Sequence, residues 1–102
     1  MERITLPLLL ILAQFIAEPQ GEWFGYRLAK ATGLRSGSVH ENLIRLEHEG
    51  WIEARWEEAD DREPHRGPRR RLYRLTALGE RKGRQLLRER TQGLRLSLGG
   101  LG

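Results

Sequence analysis

Sixteen of the eighteen basic residues in this 102-residue chain are arginine, and the densest group lies in GPRRRLYRLTALG, residues 67–79. Arg69, Arg70, Arg71 and Arg74 fall there, just after Arg62, His65 and Arg66. A guanidinium is planar, permanently charged and carries five N–H donors in a fork that matches phosphate oxygens or the edge of guanine. The chemistry on offer is recognition of a polyanion rather than bond making. Any one of these arginines alone reads equally well as solvated surface charge, and a GC-rich coding sequence also enriches arginine. Together, six contacts from Arg62, His65, Arg66, Arg69, Arg70 and Arg71 would give a log–log salt slope near ~5. Five acids of the same stretch, Glu57, Glu58, Asp60, Asp61 and Glu63, oppose that field and can pair with the arginines when no polyanion is bound.

Nothing resembling a reaction centre accompanies the cluster. The chain has no cysteine, hence no disulfide, thiolate ligand or thiol nucleophile, a composition that fits a reducing cytoplasm. His40 and His48 stand eight residues apart, and with His65 they make no metal-ligand spacing. Neither a glycine-rich phosphate loop nor a nucleophile motif occurs. The expectation is a protein that is not an enzyme and needs no metal and no cofactor. The net charge of +4 is unevenly spread: residues 1–50 hold five basic against six acidic side chains, residues 51–102 thirteen against eight.

The elements that must position these residues are short, and the length fits one domain. Thr5 is a candidate N-cap and Pro7 is tolerated in a first turn, so a first helix should run to about Ala17 and stop before Pro19. It is apolar on most faces, which calls for central burial or a second chain. At twelve residues, the apolar run 6–17 is too short to span a bilayer, which takes roughly 20. It also lacks the basic flank and cleavage site of a secretory signal, so no membrane association is expected. Residues 18–22 form a turn, and Trp23 and Phe24 a possible strand stub. The segment GYRLAKATG reads as a short helix closed by a left-handed Gly33.

Ser36 or Ser38 can then cap a helix that continues to Glu49 and stops at Gly50. At 100° per residue, Val39, Leu43 and Leu46 form its apolar stripe. Ser38, Glu41, Arg45 and His48 lie opposite, with His40, Asn42 and Ile44 on the flanks. Residues 51–57 read as a strand, 58–68 as a charged loop and 69–75 as the returning strand. On the latter, Leu72, Arg74 and Thr76 face one way, Tyr73 and Leu75 the other. Thr76 caps a last helix to about Gln92, in which Gly79 and Gly83 permit a close helix approach. The domain is then 1–92, with 93–102 as a flexible tail.

This order predicts an α+β, mostly helical winged helix-turn-helix: three N-terminal helices, a two-stranded antiparallel wing and a C-terminal helix. The run GSVHENLIRLEHEGWI, then ARWE, a charged loop and GPRRRLYRLTALG, resembles the PadR family of bacterial transcriptional regulators over about residues 4–90. The resemblance implies a homodimer joined through the first and last helices, and in some members a small aromatic effector at that interface. The short last helix is similar to that of smaller members without a long coiled coil. Leu8, Leu9, Leu12, Phe15, Ile16, Leu86, Leu87 and Leu94 are the corresponding interface candidates, although the same residues could close a monomer core. His40 stands where the family usually has Tyr, leaving it a packing residue or a DNA contact. Glu41 would repel phosphate unless it accepts from a cytosine amino group.

A cytoplasmic repressor is therefore expected, binding a pseudo-palindromic operator in double-stranded DNA as a dimer, with recognition helices roughly 34 Å apart. Its DNA contacts would come from Arg35, Ser36, Ser38, Glu41, Asn42 and Arg45, with Arg62, His65, Arg66, Arg69, Arg70 and Arg71 in the wing. The alternative is a winged-helix protein-interaction module without specific DNA binding. Trp23, Trp51 and Trp56 read either as packing anchors or as the lining of an effector pocket.

Overall fold

The computed structural model describes residues 1, 3–58 and 69–99. Among them the chain forms helices α1 (Leu6–Ala17), α2 (Gly25–Thr32) and α3 (Ser36–His48), strands β1 (Ile52–Trp56) and β2 (Arg71–Leu75), and helix α4 (Ala77–Gly99). The Thr5 hydroxyl accepts from the Leu8 amide at 3.3 Å, so α1 starts on the expected cap with Pro7 in its first turn. This helix is apolar nearly all round because it is the centre of the molecule, in contact with α2, α3, α4 and β2. Leu8, Ile11, Leu12 and Phe15 are fully enclosed.

That burial corrects the expected interface. Leu8, Leu12 and Phe15 pack inside their own chain and have no surface to offer a second one. Leu9, Ile16, Leu86 and Leu87 are half-buried and Leu94 is exposed, so these five stay accessible.

Strands β1 and β2 pair antiparallel, Ile52 opposite Leu75 and Trp56 opposite Arg71. Trp23 adds a one-residue third rung, exchanging two backbone hydrogen bonds with Tyr73 at 2.9 and 2.7 Å. The alternation expected for β2 is broken at one place. Leu72, Tyr73 and Leu75 are all buried and only Arg74 is exposed, because Leu72 sits in a cleft bordered by Glu22, Phe24 and Arg55.

Gly50, at φ 77°, ends α3 in a Schellman turn. Its amide donates to Glu47, and the Trp51 amide to Leu46. The Trp51 carbonyl then accepts from both the amide and the hydroxyl of Thr76, at 3.0 and 3.1 Å. The same hydroxyl accepts from the Gly79 amide at 3.0 Å and so caps α4. Gly79 is pressed against this junction: a Cβ there would lie 1.9 Å from the Trp51 oxygen. Four residues on, a Cβ on Gly83 would lie 3.0 Å from side-chain methyls of Leu12 and Ile16. The expected close approach through the two glycines is thus the seam between α4 and the rest of the molecule.

Helix α4 runs to Gly99, beyond the expected stop near Gln92. Leu94, Arg95 and Leu96 are good helix formers and outweigh the cost of a single Gly93, roughly 1 kcal/mol.

Candidate nucleic-acid interface

The junction from α2 to α3 is built by local hydrogen bonding. Gly33, at φ 75°, closes α2 with its amide on Ala29, while the Thr32 hydroxyl donates to Leu28 at 2.7 Å and accepts from the Leu34 amide at 3.2 Å. Only two residues, Leu34 and Arg35, then separate this stop from α3. The N-cap of α3 is Arg35, extended and without a side-chain cap, rather than the serines expected. Ser36 is the first helical residue and Ser38, the third, is half-buried. The uncapped amides of this first turn stand at the positive end of the helix dipole, beside an exposed Arg35, and suit an approaching phosphate.

Along α3 the buried residues are Val39, Asn42, Leu43 and Leu46. Asn42, expected on a flank and among the DNA contacts, is turned inward, its amide nitrogen donating to the Ser38 carbonyl at 2.8 Å. Arg45 is also not on the free face: it is half-buried and donates to the Arg3 carbonyl at 3.0 Å. The face opposite the core carries Gly37, Glu41, Ile44 and His48, with His40 beside them, all exposed. Gly37 and Ile44 were not among the sequence candidates. Their signal was present in the apolar stripe itself, since the direction opposite Val39, Leu43 and Leu46 passes through these residues rather than through Ser38 and Arg45.

The wing stands beside that face. Arg70 grips Glu57 through two guanidinium nitrogens at 3.0 and 2.8 Å and lies over the Phe24 ring at 4.4 Å. The Glu57 hydrogen bond raises the already high pKa of Arg70, so its charge is permanent. Arg71 reaches across to Glu47 of α3 at 3.4 Å and lies 5.1 Å from the centre of the Trp56 ring. The expected pairing of wing arginines with acids of the same stretch is present at Arg70 with Glu57, whereas Arg71 pairs with Glu47 of α3, which is not one of those acids. Arg69 and Arg74 are exposed. Arg62, His65 and Arg66, with Asp60, Asp61 and Glu63, lie outside the described residues. Of the three tryptophans, Trp23 and Trp51 are core anchors and Trp56 is exposed.

Among the described residues, no group of His, Asp or Glu could hold a metal ion, and no helix is long and apolar enough to cross a membrane. A helix-turn-helix followed by a two-stranded wing, the second helix of the motif free on its outer face, defines a winged helix-turn-helix protein. Residues 11–89 match the transcriptional regulator PadR-like family, and the chain belongs to it. Its members are transcriptional regulators, not enzymes. None of the curated proteins matches the chain.

Among solved structures, a PadR family transcription regulator from Clostridium difficile R20291 is similar at 24% identity, with 96% of this chain and all of that one covered and a TM-score of 0.76. The PcaV transcriptional regulator of Streptomyces coelicolor, solved with its natural ligand, is 25% identical over 99% of this chain and 65% of its own, at a TM-score of 0.72. Bordetella bronchiseptica BpsR, whose DNA binding is regulated by 6-hydroxynicotinic acid, is 20% identical at a TM-score of 0.75, covering 99% of this chain and 66% of that one.

Proposed function

We propose that this regulator binds double-stranded DNA as a homodimer and represses from a pseudo-palindromic operator in the bacterial cytoplasm. The carrying observation is the 3.4 Å contact between Arg71 and Glu47, which marks how near the arginine-bearing strand of the wing lies to α3. One surface then presents a helix for the major groove and guanidinium groups for the flanking backbone. On that face Glu41 is suited to accept from a cytosine amino group and Ile44 to touch a thymine methyl. Arg35, Ser36 and Arg69 supply backbone contacts, and Arg70 and Arg71 exchange their carboxylates for phosphates as DNA arrives. Arg62, His65 and Arg66 extend the same basic run.

Dimerisation would join α4 to a second copy, next to the groove lined by Ile16, Arg84, Leu87 and Thr91. The regulation of BpsR by 6-hydroxynicotinic acid, with the natural ligand bound by PcaV, supports control of this chain, too, by a small molecule such as an aromatic one. A protein-interaction module is the second reading, favoured by the exposed apolar Ile44 and Trp56 beside α3.

The test is binding to the DNA flanking the protein's own gene and to a random duplex across salt concentrations. The parent chain should bind both, the flanking DNA more tightly. Replacing Arg69, Arg70 and Arg71 together by Ala should lower the log–log salt slope by roughly 3. An unchanged slope removes the wing from the DNA contact. No binding to either duplex favours the interaction module.

A further inference from the structure

Helix α3 has neighbours on two opposite flanks. Glu47 meets Arg71 of the wing at 3.4 Å, and the Arg45 guanidinium donates to the Arg3 carbonyl at 3.0 Å, across 42 residues of chain. Positions two apart on a helix diverge by roughly 160°, so these two contacts leave α3 on nearly opposite sides. The free face of Gly37, Glu41, Ile44 and His48 lies between them. The short segment before α1 therefore borders that face on one side as the wing does on the other.

That segment is well anchored. Ile4 packs against the core, the Thr5 hydroxyl caps α1, and Arg45 holds the Arg3 carbonyl. Arg3 is bent to φ 44°, and no other non-glycine residue among those described has a positive φ. L side chains rarely adopt this conformation; it persists where the surroundings over-determine it, and such residues cluster at binding sites. The Arg3 guanidinium is exposed and makes no ion pair or hydrogen bond among the described residues. Arg27, Arg55, Arg70, Arg71 and Arg84, in contrast, are each matched to a carboxylate. A strained, fixed and unpaired cation beside α3 calls for an anion from outside the chain.

We infer that Arg3 contacts a phosphate of the DNA strand opposite the one held by the wing, with Arg45 as the residue that positions it. The inference rests on the DNA-binding reading of α3. A helix with its side chains is about 10–12 Å across and the major groove about 12 Å wide, so a helix seated there turns one flank to each backbone. The wing arginines serve one flank only. Arg3 serves the other, and a helix clamped on both sides cannot roll about its own axis, which fixes the face that meets the bases. Glu49, exposed at the C-cap on the Arg45 side, and Glu41 on the free face both repel phosphate. A loosely held cation would gain little against them, which is the physical reason for anchoring Arg3 through Arg45.

The test measures binding of the full chain to the DNA flanking its gene and to a random duplex across salt concentrations, with ethylation interference on the flanking DNA. At about 0.1 M salt Arg3→Ala should weaken both duplexes about fivefold, and it should lower the log–log salt slope by roughly 1 per protomer. Arg3→Lys, which keeps the charge, should keep the slope. Arg45→Ala should cost as much as Arg3→Ala, and the double variant no more than either alone, since Arg45 acts through Arg3. Ethylation-sensitive phosphates should form two clusters, one on each side of the contacted major groove. Arg3→Ala should erase one cluster, and joint replacement of Arg69, Arg70 and Arg71 by Ala the other. A parent chain that binds DNA while Arg3→Ala leaves slope and interference pattern unchanged overturns the contact alone. Arg3→Lys binding as weakly as Arg3→Ala overturns its electrostatic basis, and additive losses overturn the positioning role of Arg45. A parent chain that binds neither duplex overturns the DNA reading and the contact with it.

Discussion

Gly79 occupies the tightest position in the molecule, where α4 begins against the Trp51 carbonyl. A methyl there meets backbone oxygen at 1.9 Å, and that oxygen is itself held by two hydrogen bonds from Thr76. The clash cannot be relieved by rotating a side chain. Gly79→Ala should therefore lower unfolding free energy by about 3 kcal/mol, measured by urea denaturation. Gly83→Ala meets the ends of flexible Leu12 and Ile16 side chains at 3.0 Å and should cost about 1 kcal/mol in the same assay. An equal loss at both positions would show that backbone contact at Gly79 is not the limiting feature. Residue by residue, α3 follows the same logic of direction: Asn42 and Arg45 are polar yet turned to the protein, while Ile44 is apolar yet turned out.

Among the elements, α4 is the one whose length exceeds what its own chain covers. Its first half packs on α1 through Gly83, Leu86 and Leu87, whereas Leu94 and Leu96 in its second half are 61% and 72% exposed. An amphipathic helix with leucines left in water gains by pairing with a second copy. Leu94→Ser with Leu96→Ser should shift the sedimentation profile toward monomer while leaving the circular-dichroism spectrum of the folded core in place. A parent chain that sediments as a monomer at high concentration would place those leucines elsewhere than at a dimer contact. The wing behaves differently as an element, since Glu57 and Glu47 hold its arginines at rest and leave them exchangeable.

At the scale of the whole molecule, the shape points the same way as the composition. The radius of gyration is 15.9 Å with a long axis of 60 Å, against about 13 Å expected for a compact domain of ~100 residues. A small core with an incompletely covered helix should gain stability from association, so the melting temperature should rise with protein concentration. A concentration-independent melting temperature would mean that folding does not draw on a partner. Charge acts at this scale as well: the basic excess of the second half is concentrated around the wing and α4, where it can steer DNA from a distance.

The order of elements, the glycine stops at Gly33 and Gly50 and the Thr5 and Thr76 caps were legible in the residues, because each depends on interactions within a few positions along the chain. The family followed from the same local patterns. Which leucines of α1 are core, which way α3 faces and what the wing arginines hold were decided only by tertiary structure. Leu8, Leu12 and Phe15 are enclosed because four other elements surround α1, a fact no periodicity contains. Asn42 is buried because α1, α2 and β1 pack against α3, with the Ser38 carbonyl satisfying its amide, and Arg71 faces α3 because Glu47, 24 residues away, lies opposite it. Composition alone placed sixteen arginines in this chain; folding determined which are already paired and which remain for a ligand.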